Sequence, residues 1–333
     1  MEYDYCDNFD LAGAFKEKYE AMSFRSPDLQ SIAQAFIRNM NRVRGTAMLP
    51  VRLVSLATIN ECARMEALLN KKIAFHDNRI VRGHPDFDID LFKQVDAERQ
   101  RIIQEWVKQP DFNAKAVQIG REGLNLCIDA GQEQARESVQ AIMAGMIMGL
   151  WTALESLTQD TWISAVNACP APLASNVMSA ADSALKTGNQ AKSISYAHFT
   201  GSGFDFRRTM GTLLFREKKV DFQQLKTIRA AYKVAFADEL DSIFDNSVEA
   251  LSLLEAIRNL FAHKGGVIDE KFKGKVSKIT QFKELNVGDV LILNGKYIVT
   301  IANVVAHFSE SLVTAVDKWI IENPEPSDAD YDS

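Results

Sequence analysis

Apolar residues recur at helical spacing along most of the chain. The run from Leu29 to Arg44 opens after Ser26-Pro27-Asp28, a capped start with proline near the first turn, and the pattern stops before Gly45. A second stripe from Ser55 to Lys72 places Leu56, Ile59, Ala63, Ala67 and Leu68 on one helical face. Residues 78–90, with Gly83, Pro85 and three aspartates, read as a loop before an amphipathic helix over Leu91–Lys108.

From Phe112 to Ala168 the pattern is helical almost throughout, and Ala135 to Val166 is apolar on most faces, as suits a central helix packed on several sides. Between Ala168 and Lys219, Pro170, Pro172, Gly201 and Gly203 predict an irregular insertion. Helical spacing resumes over Asp221–Ala237 and again over Val248–His263, where Asp245-Asn246-Ser247 supplies the cap and Leu251, Leu254, Ile257, Leu260 and Phe261 the buried stripe. Gly265 and Gly266 supply positions suited to a helix stop. The apolar run Val290–Leu293, bracketed by Gly288-Asp289 and Asn294-Gly295, predicts a small hairpin or strand. A last helix spans Ile298–Glu322, and the acidic segment 324–333 is expected to be a disordered tail.

Composition narrows the function classes. With 47% apolar and 25% charged residues the chain is globular and able to bury a large core, and a net charge of -6 argues against broad coating of nucleic acid. A local basic site is still compatible with it. Cys6, Cys62, Cys127 and Cys169 lack metal-ligand or disulfide spacing, so buried reduced thiols are expected, with no metal and no cofactor. The N-terminus lacks a signal-peptide pattern, and the uncharged run Ser138–Leu154 is shorter than a bilayer span, which predicts a cytoplasmic protein without a membrane segment.

Chemistry concentrates at one helix end, where Arg258-Asn259-Leu260-Phe261-Ala262-His263 precedes Lys264-Gly265-Gly266. A permanent cation and a titratable imidazole can together cleave a phosphodiester without a metal. Spacing alone carries little weight, since about 0.8 such matches are expected by chance. Arg79 to His84 repeats it inside a Gly/Pro/Asp loop and is read as a decoy. A structural role is the competing reading: a histidine in a last turn favours the helix dipole, and Arg258 can pair with Glu255. Residues five apart on a helix differ by about 140° in azimuth, so Arg258 and His263 share a face only if the last turn unwinds, which the two glycines would permit.

The helix order, with Trp151–Leu157 in a long first helix and Arg258–His263 ending the third, resembles the HEPN superfamily over Ala135–Glu322. The resemblance implies an all-α, HEPN-like four-helix bundle (131–323) with a small β-hairpin insertion, preceded by a helical N-terminal region (1–130). It further implies a homodimeric endoribonuclease in which Arg258 holds the scissile phosphate, Asn259 orients the site and His263 transfers protons. Such proteins serve as toxins or antiviral effectors, with an antitoxin or regulatory protein as partner. The alternative is an inactive HEPN-like binding or scaffold module. For RNA binding, Lys264, Arg207 and Arg208 are candidates; the latter two sit in a cluster with Arg216, Lys218 and Lys219 beside Phe204, Phe206 and Phe215. Lys271, Lys273, Lys275 and Lys278 can extend the positive surface, and Glu155 is a possible polar partner for Arg258.

Overall fold

The computed structural model describes residues 24–130, 133–186, 208–217, 220–277, 279 and 282–324. Regular structure among them is helical, in keeping with the all-α expectation. In chain order the helices are α1 (Pro27–Asn70), α2 (Ile89–Val107), α3 (Phe112–Asp129), α4 (Glu133–Ala168), α5 (Pro170–Lys186) and α6 (Met210–Arg216). They continue with α7 (Leu225–Ala235), α8 (Asp241–Asp245), α9 (Val248–Lys264), α10 (Glu270–Val276) and α11 (Gly295–Glu322). The described residues form two compact units, one from Gly45 to Gln140, the other up to Arg44 and from Ala141 onward. These limits differ from the expected division at 130.

In the 45–140 unit, Ala63, Ala67 and Leu68 of α1 pack with Val95 and Ile102 of α2 and with Ile80 from the 3-10 turn Asn78–Ile80. Gly120 of α3 permits a close crossing of α1, because a Cβ there would lie 2.1 Å from the Val51 carbonyl oxygen. Asp88 caps α2 by accepting the backbone N–H groups of Asp90 and Leu91.

The other unit is built around the 141–168 part of α4, where Met143, Ile147, Leu150, Trp151, Leu154, Trp162 and Val166 are all buried. Each large apolar side chain removed from water contributes on the order of 2–3 kcal/mol. Two buried hydrogen bonds tie α4 to α7: Trp162 Nε1 donates to the Ala231 carbonyl at 3.1 Å, and Tyr232 Oη donates to the Thr158 carbonyl at 2.7 Å. Edge-on pairs Phe244–Phe308 and Phe236–Trp319 join α8 and the end of α7 to α11. Asp317 of α11 is buried yet satisfied, accepting the N–H groups of Arg25 and Ser26 just before α1. Windows of α4 and α11 with mean hydropathy 1.3 and 1.4 are long and apolar enough to cross a membrane, and half of each window is buried inside the protein.

Several expectations are corrected. The first two predicted helices are one, because the buried stripe Phe36, Met40, Val43, Ala47, Val51, Ser55 and Ile59 runs unbroken past Gly45 and Pro50. Burial along that stripe outweighs the helix penalties of both residues. The single pattern over 112–168 is instead α3 and α4. Much of the supposed irregular insertion is helical, with Pro170 at the first position of α5, where its missing N–H costs nothing. No hairpin forms among the described residues: Val290 makes one isolated antiparallel bridge to Val267, and Asn294 caps α11 by accepting the Tyr297 N–H at 2.9 Å. Asn-Gly thus opens a helix rather than closing a turn. Cys169 is buried, but Cys127 is partly exposed and Cys62 exposed on the solvent side of α1. Cys6 and the 325–333 part of the tail lie outside the described residues.

Candidate functional site

Helix α9 carries the motif and ends as the sequence anticipates. Gly265 takes φ 58°, its N–H donating to the Leu260 carbonyl, and Gly266 follows at φ 88°. Both conformations favour glycine. The glycines stop the helix after Lys264, so the turn holding His263 remains regular and the expected unwinding does not occur.

That regularity separates the two motif residues. Asn259 and His263, four apart, share a face with Ala256 and Leu260 and line an open cleft of about 260 Å³ together with Lys264, Asp269, Lys271, Phe272 and Lys275. Arg258 is not among the lining residues. It is half-buried, with its guanidinium carbon 5.8 Å from the centre of the Trp151 ring on α4, and its Nη1 donates to Asn259 Oδ1 at 2.7 Å. A two-residue hydrogen bond is therefore the link between Arg258 and the cleft.

The cleft floor is set by α10. Asp269 accepts the Phe272 N–H at 2.8 Å, starting the helix, and Phe272 is buried edge-on against Phe282. Lys271 and Lys275, four apart, bring their side chains to the same side. Behind them lies Glu255, a buried residue of α9. Its Oε2 accepts from Lys275 Nζ at 3.0 Å, and its Oε1 accepts from the Leu225 N–H at 3.2 Å. Glu255 thus pairs with Lys275 rather than Arg258, and Glu155 forms no ion pair among the described residues.

With one aspartate against three lysines and a histidine, the lining suits an anion. Among the described residues no group of side chains is arranged to hold a metal ion.

The remaining candidates do not converge here. Arg208 is exposed in a turn before α6, and Arg216 is exposed at its end; neither lines the cleft. Arg207, Lys218, Lys219, Lys278, Phe204 and Phe206 lie outside the described residues. Phe215, partly exposed, packs at 6.1 Å on the buried Phe222 and does not line the cleft. Lys273 is on α10 but not in the cleft. At the decoy, Arg79 is held by Asp77 at 2.6 Å, and this contact keeps the Asp77 carboxyl down at about 2. Sequence spacing misses Glu255 as the partner of Lys275 and Asp269 as a lining residue of the cleft.

Comparison of the chain with known protein families, characterised proteins and solved structures finds no match.

Proposed function

We propose that the chain is a HEPN-like, metal-independent endoribonuclease that works as a symmetric homodimer. The observation that carries this reading is the placing of His263, Asn259 and three lysines in one solvent-open cleft at the end of α9. A phosphodiester held by the lysines would sit within reach of the His263 imidazole, a group whose ring nitrogens can accept or donate a proton. His263 takes the proton of the ribose 2'-hydroxyl, the 2'-oxygen attacks phosphorus, and the bond to the 5'-oxygen breaks. A second copy's imidazole gives the departing oxygen its proton, leaving a 2',3'-cyclic phosphate and a 5'-hydroxyl. Arg258 acts on the cleft through Asn259, or on the neighbouring copy's phosphate across the dimer. A toxin or antiviral role, an antitoxin or regulatory protein as partner, and a cytoplasmic setting belong to the same reading.

One observation favours the alternative of a HEPN-like binding or scaffold module: Arg258 lies against Trp151 and is not among the residues that line the cleft with His263. Incubation of mixed RNA in EDTA with wild type, Arg258→Ala and His263→Ala separates the two. The nuclease reading expects cyclic-phosphate products from wild type and a loss of at least about 100-fold in His263→Ala. Equal cleavage by folded His263→Ala overturns the site, and binding without cleavage in wild type supports the scaffold.

A further inference from the structure

A buried carboxylate that holds the ammonium of a partly exposed lysine fixes where that cation stands along the cleft. Glu255 is 8% exposed and has both oxygens engaged, one on the Leu225 N–H and one on Lys275 Nζ. The Lys275 side chain is 38% exposed and lines the cleft. One of three ammonium donors is committed to Glu255, which leaves two for a ligand. An ammonium fixed in this way binds without ordering a long flexible chain first. Lys264 and Lys271, both exposed, stand along the same cleft.

We propose that Lys275, positioned by Glu255, is a phosphate-contacting residue of this cleft, and that with Lys264 and Lys271 it forms the docking site for a phosphodiester of single-stranded RNA. The inference rests on the RNA-directed reading above but not on cleavage. Glu255 is a positioning residue, acting through the lysine.

The test measures binding of a 2'-O-methyl oligoribonucleotide, which lacks the nucleophile, across a salt series. Wild type binds, and Lys275→Met lowers affinity about tenfold at low salt and reduces the salt slope by about 0.7, the share of one lost contact. Because Lys275→Met strands a buried charge, the double variant Glu255→Gln/Lys275→Met is measured beside it and shows the same loss. Glu255→Gln keeps the lysine charge, so it retains the slope while losing about threefold in affinity. Lys273→Met, on α10 outside the cleft, binds as wild type does. Wild-type binding preserved in both Lys275 variants overturns the proposal, as does a cleft that takes inorganic phosphate but no oligonucleotide. Cleavage by wild type with unaltered Lys275→Met binding would refute this proposal alone, whereas the expected binding losses without any cleavage would refute the nuclease reading alone.

Discussion

The guanidinium of Arg258 lies over the ring of Trp151, 5.8 Å from its centre, so the motif arginine joins α9 to α4 within one unit. Its Nε is buried without a hydrogen-bond partner among the described residues, where the ring contact and Asn259 hold the side chain. A double-mutant cycle with Arg258→Met and Trp151→Leu is expected to give a coupling of about 1 kcal/mol in urea unfolding, the range of a partly desolvated cation–π pair. Additive changes would show that the contact carries no energy.

Gly266 is the tighter of the two glycines that stop α9. At φ 88°, a Cβ would also lie 2.8 Å from Phe261 Cε1. Gly266→Ala should therefore cost about 1–2 kcal/mol, combining left-handed backbone strain with displacement of the ring. Gly265→Asn, at φ 58° with open space around the Cβ, should cost less than about 1 kcal/mol, since asparagine tolerates this conformation. Chemical denaturation of the two variants checks the order; the reverse order would mean that Phe261 is not packed as described.

Legibility varied with the distance over which each feature is decided. The α9 stop, its stripe and the 140° separation of Arg258 from His263 are local and were readable from spacing. The unwinding expected from Gly265-Gly266 failed because the first left-handed residue comes after Lys264 and leaves the preceding turn intact. A breaker misled in α1: Gly45 looked like a boundary, although Ala47, Val51 and Ser55 continue the buried stripe across it and past Pro50. Asn294-Gly295 was ambiguous because asparagine serves both hairpin turns and helix caps, and the long apolar stretch behind it decided for the helix. The Glu255–Lys275 pair could not be read at all, since 20 residues and a turn of chain separate its members.

Alkaline pH should find a weak point at Tyr232. Burial raises its pKa well above 10, and its hydroxyl donates to the Thr158 carbonyl at 2.7 Å. Well below pH 10 the phenol is neutral in both states and its stabilisation is complete. Above that value the unfolded chain releases the proton and the native one keeps it, so stability falls as pH rises, by at most about 1.4 kcal/mol per pH unit. Burial and the Glu249 charge raise Tyr297 as well, with a smaller effect because water reaches it. Unfolding free energies across the alkaline range should decline more gently in Tyr232→Phe than in wild type, despite its lower starting value. Parallel curves would show that this phenol is not what limits alkaline stability.

Two glycines in helices of the 45–140 unit should respond to alanine with opposite signs. Gly45 is an exposed position inside α1, and a Cβ there meets nothing within 4 Å. Alanine restricts the unfolded chain and adds helix propensity, so Gly45→Ala should stabilise by about 0.5–1 kcal/mol. Gly120 sits where α3 crosses α1, and a Cβ would lie 2.1 Å from the Val51 carbonyl oxygen and 2.9 Å from Val51 Cγ1. The first of these neighbours is backbone, so one helix must move and the propensity gain is overwhelmed. Gly120→Ala should destabilise by about 2–3 kcal/mol, the scale of overpacking in a close-packed interior. Urea unfolding of both variants decides the matter: a stabilised Gly120→Ala would mean that α3 does not approach α1 at Val51, and a destabilised Gly45→Ala that α1 is not continuous there.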